Sequence, residues 1–363
     1  MNINNYALIM AGGVGSRFWP VSRTEYPKQF IDFFGVGKTL IQSTYDRFLN
    51  ICPPENIFIV TNEIYIDIIK EQLPNISDNQ ILAEPIMRNT APCISYGSMK
   101  IAQLNPNATI VVAPSDHTIT NPGAFVEAIE QSLKAASEND CLITLGIKPS
   151  RPDTGYGYIQ YTENALKTDD QIFKVKIFTE KPNLDLATSF LQSGDFLWNA
   201  GIFIWSAKAI NKAFQRHLPE MHEIFYQGNS SYNTEYELAF IGDAYQQCTN
   251  ISIDFGIMEK ADNVYVLPAD FGWSDLGTWA SIYDIADHDY VGNAVIPSEK
   301  VMMFNSSNCM VNVPKEKLVI LQDLHDYIVV ESNNTLLICP RTAEQSIKQI
   351  VADVKSKFGT KYI

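Results

Sequence analysis

Apolar residues fall into short runs separated by amphipathic stretches, and as far as Pro149 the alternation is regular. The run Tyr6–Met10 reads as a buried first strand. Helical spacing over 40–50 then precedes an apolar run at 57–60, and a helical stretch at 64–73 precedes a strand at 81–83. The pattern continues with a helix over 92–104, a strand at 109–113, a helix over 125–137 and a strand at 141–147. Such alternation predicts an α/β fold with a mixed, mostly parallel sheet, helices on both faces and ligands at the carboxyl ends of the strands.

Beyond Pro149 the runs at 156–161, 172–179 and 201–206 read as antiparallel strands. Their connecting loops are expected to carry Thr154-Gly155-Tyr156-Gly157, Glu180-Lys181-Pro182 and Trp198-Asn199-Ala200-Gly201. A strand at 264–268 and a helix over 278–286 follow. Short apolar segments at 309–313, 318–321, 327–331 and 335–339, parted by Pro, Asp and Asn turns, then predict a small β domain of solenoid type. The closing stretch 343–358 reads as a helix started by a Thr342/Gln345 capping box, with Ile347, Ile350, Val351 and Val354 on one face. That face needs a cover, either on its own chain or on a second copy in a homodimer. The expected division is 1–288 for the α/β domain and 289–363 for the β domain with its closing helix.

Composition narrows the function classes. With 363 residues, 46% of them hydrophobic and 19% charged, the chain has the make-up of an ordinary globular protein of two or three domains. Lys plus Arg number 27 against 41 Asp plus Glu, a net charge of −14, so general attraction to nucleic acid or to an anionic membrane is not expected. An anionic substrate must be drawn by a local basic site. The opening MNINNYALIMAGG has no basic leader, and no run approaches the roughly 18 apolar residues of a membrane span. Six cysteines are scattered without a C-x-x-C pair, which favours small core residues over zinc or a disulfide framework. A cytoplasmic location is expected.

Candidate chemistry concentrates just after the first strand, in AGGVGSRFWPVSRTEYPKQF. Gly12, Gly13 and Gly15 free backbone N–H groups to face phosphate oxygens behind Ala11, and Arg17, Arg23 and Lys28 bring positive charge into the same stretch. Two polar clusters follow later strands: Glu84 with Arg88, Asn89 and Thr90, and Ser115-Asp116-His117. An acidic side chain at a strand's end beside a phosphate loop suits Mg²⁺, although Asp116 in a turn also suits capping. His117 reads equally as a packed side chain or a participant. Asp275, before the helix over 278–286, is either its N-cap or a metal carboxylate. Gly157, Glu180, Lys181, Asn199 and Gly201 have the make-up of a sugar-phosphate site: carboxylate and amide for hydroxyls, glycine for close approach, lysine for phosphate.

Together AGGVGSRFWPVSR with PKQF, EPIMRNTAP, APSDH, TGYGYI, FTEKP, WNAGIFIW, IDFGIMEK and GWSDLGTW, in that order, resemble the mannose-1-phosphate guanylyltransferases of the sugar-nucleotidyltransferase superfamily over nearly the whole chain. The resemblance implies a Rossmann-like nucleotidyltransferase domain followed by a left-handed β-helix-like region. It implies conversion of GTP and mannose 1-phosphate to GDP-mannose and pyrophosphate with Mg²⁺. On this chain Gly12, Gly13, Arg17 and Lys28 would hold the triphosphate, and Asp116 and Asp275 the metal. Glu84, Arg88, Asn89 and Thr90 would lie at the nucleoside, with Glu84 accepting from guanine N1–H and its 2-amino group. Gly157, Glu180, Asn199 and Gly201 would contact mannose, and Lys181 its phosphate.

Phe18 stands where the family usually has Leu, and Phe255 where it often has Tyr. The cupin-type isomerase domain of many bacterial members is not seen, so phosphomannose isomerase activity is not expected. Three rival readings stay open at this stage: another nucleotide and hexose pair, a non-catalytic sugar-nucleotide-binding homologue, and a dehydrogenase, whose G-x-G-x-x-G pattern the loop does not complete.

Overall fold

In a computed structural model, which describes residues 1–297 and 299–363, the apolar runs become strands and the amphipathic stretches helices. The first half reads β1 (Asn5–Ala11), α1 (Leu40–Phe48), β2 (Ile57–Asn62), α2 (Ile66–Gln72), β3 (Ile81–Glu84), α3 (Thr90–Leu104), β4 (Thr109–Pro114), β5 (Thr118–Ile119), α4 (Pro122–Glu138) and β6 (Leu142–Ile147). Next come β7 (Gly157–Leu166), β8 (Asp169–Glu180), α5 (Leu184–Ser193), β9 (Phe196–Ser206), α6 (Ala207–His217), α7 (Pro219–Tyr226), α8 (Glu237–Gln247), β10 (Val264–Pro268) and β11 (Trp273–Ser274). The chain continues through α9 (Trp279–Ile285), β12 (Ala294–Ile296), β13 (Val301–Phe304), β14 (Met310–Asn312), β15 (Val319–Gln322), β16 (Tyr327–Ser332), β17 (Thr335–Pro340) and α10 (Ile347–Phe358). Two compact units result, one of Met1–Gly12, Tyr45–Ser115 and Ile119–Trp273, the other of Gly13–Thr44, Asp116–Thr118 and Ser274–Ile363.

The first unit holds a nine-stranded sheet in the order β3-β2-β1-β4-β9-β6-β10-β8-β7. The pairings leave β8 and β9 running against the other seven strands, so the sheet is mixed and mostly parallel. β1 lies between β2 and β4, in parallel register with both. A strand covered on both faces reads as a continuous apolar run, and β2 is buried along its whole length. Tyr6, Leu8, Phe58, Ile94, Ile110, Phe203 and Trp205 belong to one core. Inside this unit Glu237 of α8 is buried against α3, accepting from the Lys100 ammonium at 2.7 and 2.6 Å and from the Tyr96 hydroxyl at 2.6 Å. All six cysteines are free and buried.

Trp198-Asn199-Ala200-Gly201, expected in a loop, lies within β9. Opposite it the β6–β9 register shifts between Thr144 and Gly146, and Gly201 takes up the irregularity at φ +67. The irregularity hides the strand's alternation in the sequence.

The second unit stacks parallel rungs: β12, β14 and β16 in one sheet, β13 and β15 in another. Val301 pairs with Val319 and Ser307 with His325, a constant step that brings like corners into line. Those corners repeat their backbone, with positive φ at Asn305 and Asn308 and again at Asp323 and Asp326. Asn and Asp tolerate that left-handed conformation.

The helix expected over 343–358 begins as α-helix only at Ile347, after a 3₁₀ segment Arg341–Ser346. The Thr342/Gln345 capping box does not form. Glu344 in the tighter turn instead accepts from the Ala280 N–H at 3.0 Å, in the first turn of α9. Ile347 is fully buried in a core with Phe18, Phe33 and Trp279, and Ile350, Val351 and Val354 pack on it. The apolar face of α10 is therefore covered by its own chain.

Candidate functional site

In the second unit the glycine loop turns sharply because Gly13 and Gly15 take φ of +92 and +65, which side chains disfavour. A Cβ on Gly15 would also lie 2.6 Å from the Lys28 Cβ. Ser16–Phe18 then makes a 3₁₀ turn, anchored by Phe18 against Phe33 and Trp279 at ring distances of 4.8 and 5.3 Å. With Phe18 held in the core, Arg17 lines the neighbouring cavity, and its Nε is buried without a hydrogen-bond partner.

Lys28 opens a second 3₁₀ turn after Pro27. Its ammonium donates to Asp116 Oδ2 at 2.8 Å and to the main-chain oxygen of Asp275 at 2.6 Å. Its side chain is only 7% exposed, so the charge is available to the cavity and little else. Burial alone would raise the Asp116 carboxyl, but Lys28 and His117 outweigh it and hold the group below the ordinary range. The His117 Nε2 lies 4.0 Å from Asp116 Oδ1. Asp275 accepts from the Gly277 N–H at 3.0 Å, while the N-cap of α9 is Thr278, in a capping box with Ser281. Asp275 is thus not the cap that its place in the sequence allowed. Arg17, Lys28, Asp116, Asp275 and Lys348 line one cavity of about 310 Å³. Arg23 does not contribute there: its guanidinium donates to Ser332 O, Asn333 O and Thr335 Oγ1.

Two carboxylates beside the glycine loop form an oxygen donor set of the kind Mg²⁺ shares with phosphate ligands. Among the described residues no group of three or more His, Cys, Asp or Glu is placed to hold a metal unaided. The Asp116 and Asp275 pair fits an ion that arrives with a nucleotide.

In the first unit the loop's start and two polar clusters stand at strand ends. Ala11 closes β1 and its carbonyl accepts from Thr61 Oγ1 at 2.9 Å, while a Cβ on Gly12 would meet no atom within 4 Å. Ser115 follows β4 and donates its N–H to Met10 O at 3.0 Å. Glu84, the last residue of β3, is buried and accepts from the Tyr245 hydroxyl at 2.9 Å. Burial pushes its carboxyl up to about 7, against the Tyr245 hydrogen bond, which favours the ionised form. Arg88 donates to Tyr245 O at 3.2 Å, Asn89 caps α3 through the Thr90 N–H, and Thr90 Oγ1 accepts from the Ile253 N–H at 2.9 Å. Asn89 and Thr90 thus hold the local backbone in place.

The sugar-type residues also come together. Gly157 opens β7 opposite Glu180 at the end of β8. A Cβ there would fall 2.4 Å from Glu180 Oε2 and 3.2 Å from Asn199 Cβ. Glu180 Oε1 takes the Lys181 ammonium at 2.7 Å, and its Oε2 is buried without a partner, an acceptor awaiting a donor. Asn199 Oδ1 accepts from Thr144 Oγ1 and from the Gly201 N–H, which aims its amide nitrogen at Asp254 Oδ1, 3.0 Å away. Burial and Glu180 hold the Asp254 carboxyl above its ordinary range. Sequence reasoning missed Asp254, Tyr245 and Lys348. Asp254 left a signal, an acid inside the apolar run Ile251–Met258, whereas Tyr245 and Lys348 sit in helices without a local mark.

Residues 6–290 match the family model described as nucleotidyl transferase. A mannose-1-phosphate guanylyltransferase of Salmonella montevideo is 35% identical over 354 residues, covering 96% of this chain and 73% of that protein. One of Escherichia coli K12 is 33% identical, covering 97% of this chain and 73% of that protein. Among solved structures, a protein of Thermus thermophilus described as mannose-1-phosphate geranyltransferase aligns with a TM-score of 0.86 at 28% identity, covering 97% of this chain and all of that one.

Proposed function

The chain belongs to the nucleotidyl transferase family, and on that premise we propose that it transfers a guanylyl group from GTP to mannose 1-phosphate, forming GDP-mannose and pyrophosphate. The observation that carries the reading is one buried lysine, Lys28, bonded to Asp116 and to the main chain of Asp275 in a cavity rimmed by the glycine loop. The choice of GTP and mannose 1-phosphate follows the relatives.

A phosphomonoester whose second ionisation lies near pH 6 is largely dianionic at neutral pH, so the reaction needs no side-chain base. A phosphate oxygen of the sugar attacks the α-phosphorus of GTP, and the bond from that phosphorus to the α–β bridging oxygen breaks as pyrophosphate departs. Asp116 and Asp275 would hold Mg²⁺, which when bound neutralises phosphate charge and polarises the P–O bonds. Arg17 and Lys28 offset charge on the triphosphate, and the N–H groups of Gly12, Gly13 and Gly15 orient it. Glu84, ionised, accepts from the guanine edge, with Arg88, Asn89 and Thr90 beside the nucleoside. Glu180, Asn199 and Asp254 bond mannose hydroxyls, and Lys181 takes the sugar phosphate.

Among the described residues no helix is long and apolar enough to cross a membrane. A cytoplasmic enzyme is part of the proposal. The test is pyrophosphate release by purified protein from GTP, ATP, UTP, CTP or dTTP with mannose 1-phosphate or glucose 1-phosphate. Release that needs GTP and mannose 1-phosphate together and stops on chelation supports the reading. Preference for another pair, or silence from all pairs, overturns it.

A further inference from the structure

We propose that Lys348, from the closing helix α10, is a further triphosphate-binding residue that works with Arg17 on the pyrophosphate end of the nucleotide. The inference rests on the cavity assignment made under the proposed function. Its geometry begins with Ile347, whose side chain is fully buried in the core that also holds Phe18. An α-helix turns by about 100° per residue, so fixing Ile347 inward sets the next side chain beside that core and not upon it. The position next to Ile347 is Lys348, which lines the same cavity as Arg17, Lys28, Asp116 and Asp275.

The charges in that cavity suit an anionic ligand. Lys28 is already paired with Asp116 at 2.8 Å. Arg17 has a buried Nε with no hydrogen-bond partner, although a guanidinium offers five donors. Lys348 stands close enough to Arg17 that the repulsion, with some burial, lowers its ammonium below the ordinary range. Two cations facing each other cost free energy unless something negative lies between them. Asp116 and Asp275, the carboxylates of the cavity, are the pair assigned to the metal. A diphosphate supplies several oxygens that a guanidinium and an ammonium can share. The departing pyrophosphate gains negative charge as the α–β bond breaks, so a contact there also stabilises the transition state.

The test is calorimetric binding of inorganic pyrophosphate with Mg²⁺ to the full chain, alongside steady-state kinetics, for wild type, Lys348→Met and Lys348→Arg. Lys348 is exposed, so both variants are expected to keep the wild-type urea midpoint. Lys348→Met is expected to weaken pyrophosphate binding about tenfold and to raise KM for GTP by a similar factor, the loss of one charge-assisted contact. Lys348→Arg is expected to restore most of both, and KM for mannose 1-phosphate stays at the wild-type value. Wild-type pyrophosphate affinity in Lys348→Met overturns the inference, as does an equal rise in both KM values. Pyrophosphate binding does not depend on which nucleotide or sugar is used. A wild-type protein that fails at guanylyl transfer yet binds pyrophosphate through Lys348 would therefore sink the proposed reaction and leave this inference standing.

Discussion

Replacing Asp275 by Asn separates chemistry from folding in the cavity that Arg17, Lys28 and Asp116 also line. The amide keeps an oxygen for the Gly277 N–H, now 3.0 Å from Oδ1, and the main-chain oxygen that takes the Lys28 ammonium at 2.6 Å is untouched. The change removes the carboxylate charge while keeping the side chain's size, and its cost to folding is expected to be about 1 kcal/mol or less. In the proposed reaction the change removes an anionic metal ligand at the reacting phosphates, where electrostatic stabilisation is worth several kcal/mol, so turnover is expected to fall on the order of 100-fold or more. Asp116→Asn is the control. Its carboxylate pairs directly with Lys28 at 2.8 Å, and Lys28 is nearly buried, so weakening that pair is expected to cost about 1–3 kcal/mol as well as activity. Urea midpoints with pyrophosphate release across a Mg²⁺ titration make the comparison. The reasoning fails if Asp275→Asn loses as much stability as Asp116→Asn, or if it keeps the wild-type rate and Mg²⁺ requirement.

Four other outcomes are expected. Because Glu84 is pushed up to about 7, KM for GTP should fall as pH rises through that value and the carboxylate forms, and Glu84→Gln should flatten the profile; a wild-type profile in the variant refutes the guanine contact. The same shift means the folded protein holds this proton more tightly than the unfolded chain does, so stability present below about 4.5 is lost as pH rises through about 7. Glu237→Ala leaves the Lys100 ammonium buried beside Tyr96 without its carboxylate, and should cost about 3–5 kcal/mol by urea titration; a loss under about 1 kcal/mol would show that water replaces the pair. In Gly157→Ala the new methyl meets Glu180 Oε2 at 2.4 Å, so KM for mannose 1-phosphate should rise about tenfold while KM for GTP holds, and an equal change in both would argue against a sugar site there.

The α/β half was readable because β1, β2 and β4 lie inside the mostly parallel sheet and announce themselves as unbroken apolar runs. Helix starts were less so. α3 begins at Thr90, two residues before the expected Pro92, since Asn89 caps it and proline is tolerated in a first turn. β13 escaped notice because Met302 and Phe304 face outward, which erases the polar alternation of a half-buried strand. The motif blocks drew attention to Arg17, Lys28, Asp116 and Asp275 before any geometry was known, and these four line one cavity. Arg23 stood in the same stretch but bonds to residues more than 300 positions away. No local pattern tells an arginine that will meet phosphate from one that will fasten a distant turn. Lys348 and Tyr245 were hidden for the same reason: each acts through a partner brought near only by the fold.

The fastening of the WPVSR segment sets a timetable for synthesis. Trp19 Nε1 donates to Tyr362 O at 2.6 Å across 343 residues, and Arg23 reaches Ser332 across 309. At about 5–20 residues per second, roughly 20 to 70 seconds separate the emergence of the two partners of the tryptophan bond. Through that interval the glycine loop exists as chain without the helix and turn that brace it. A nascent chain stopped short of α10 would carry the loop's arginine and lysine without these braces, so the proposed capacity to bind nucleotide should arise abruptly, once α10 and the residues after it have emerged.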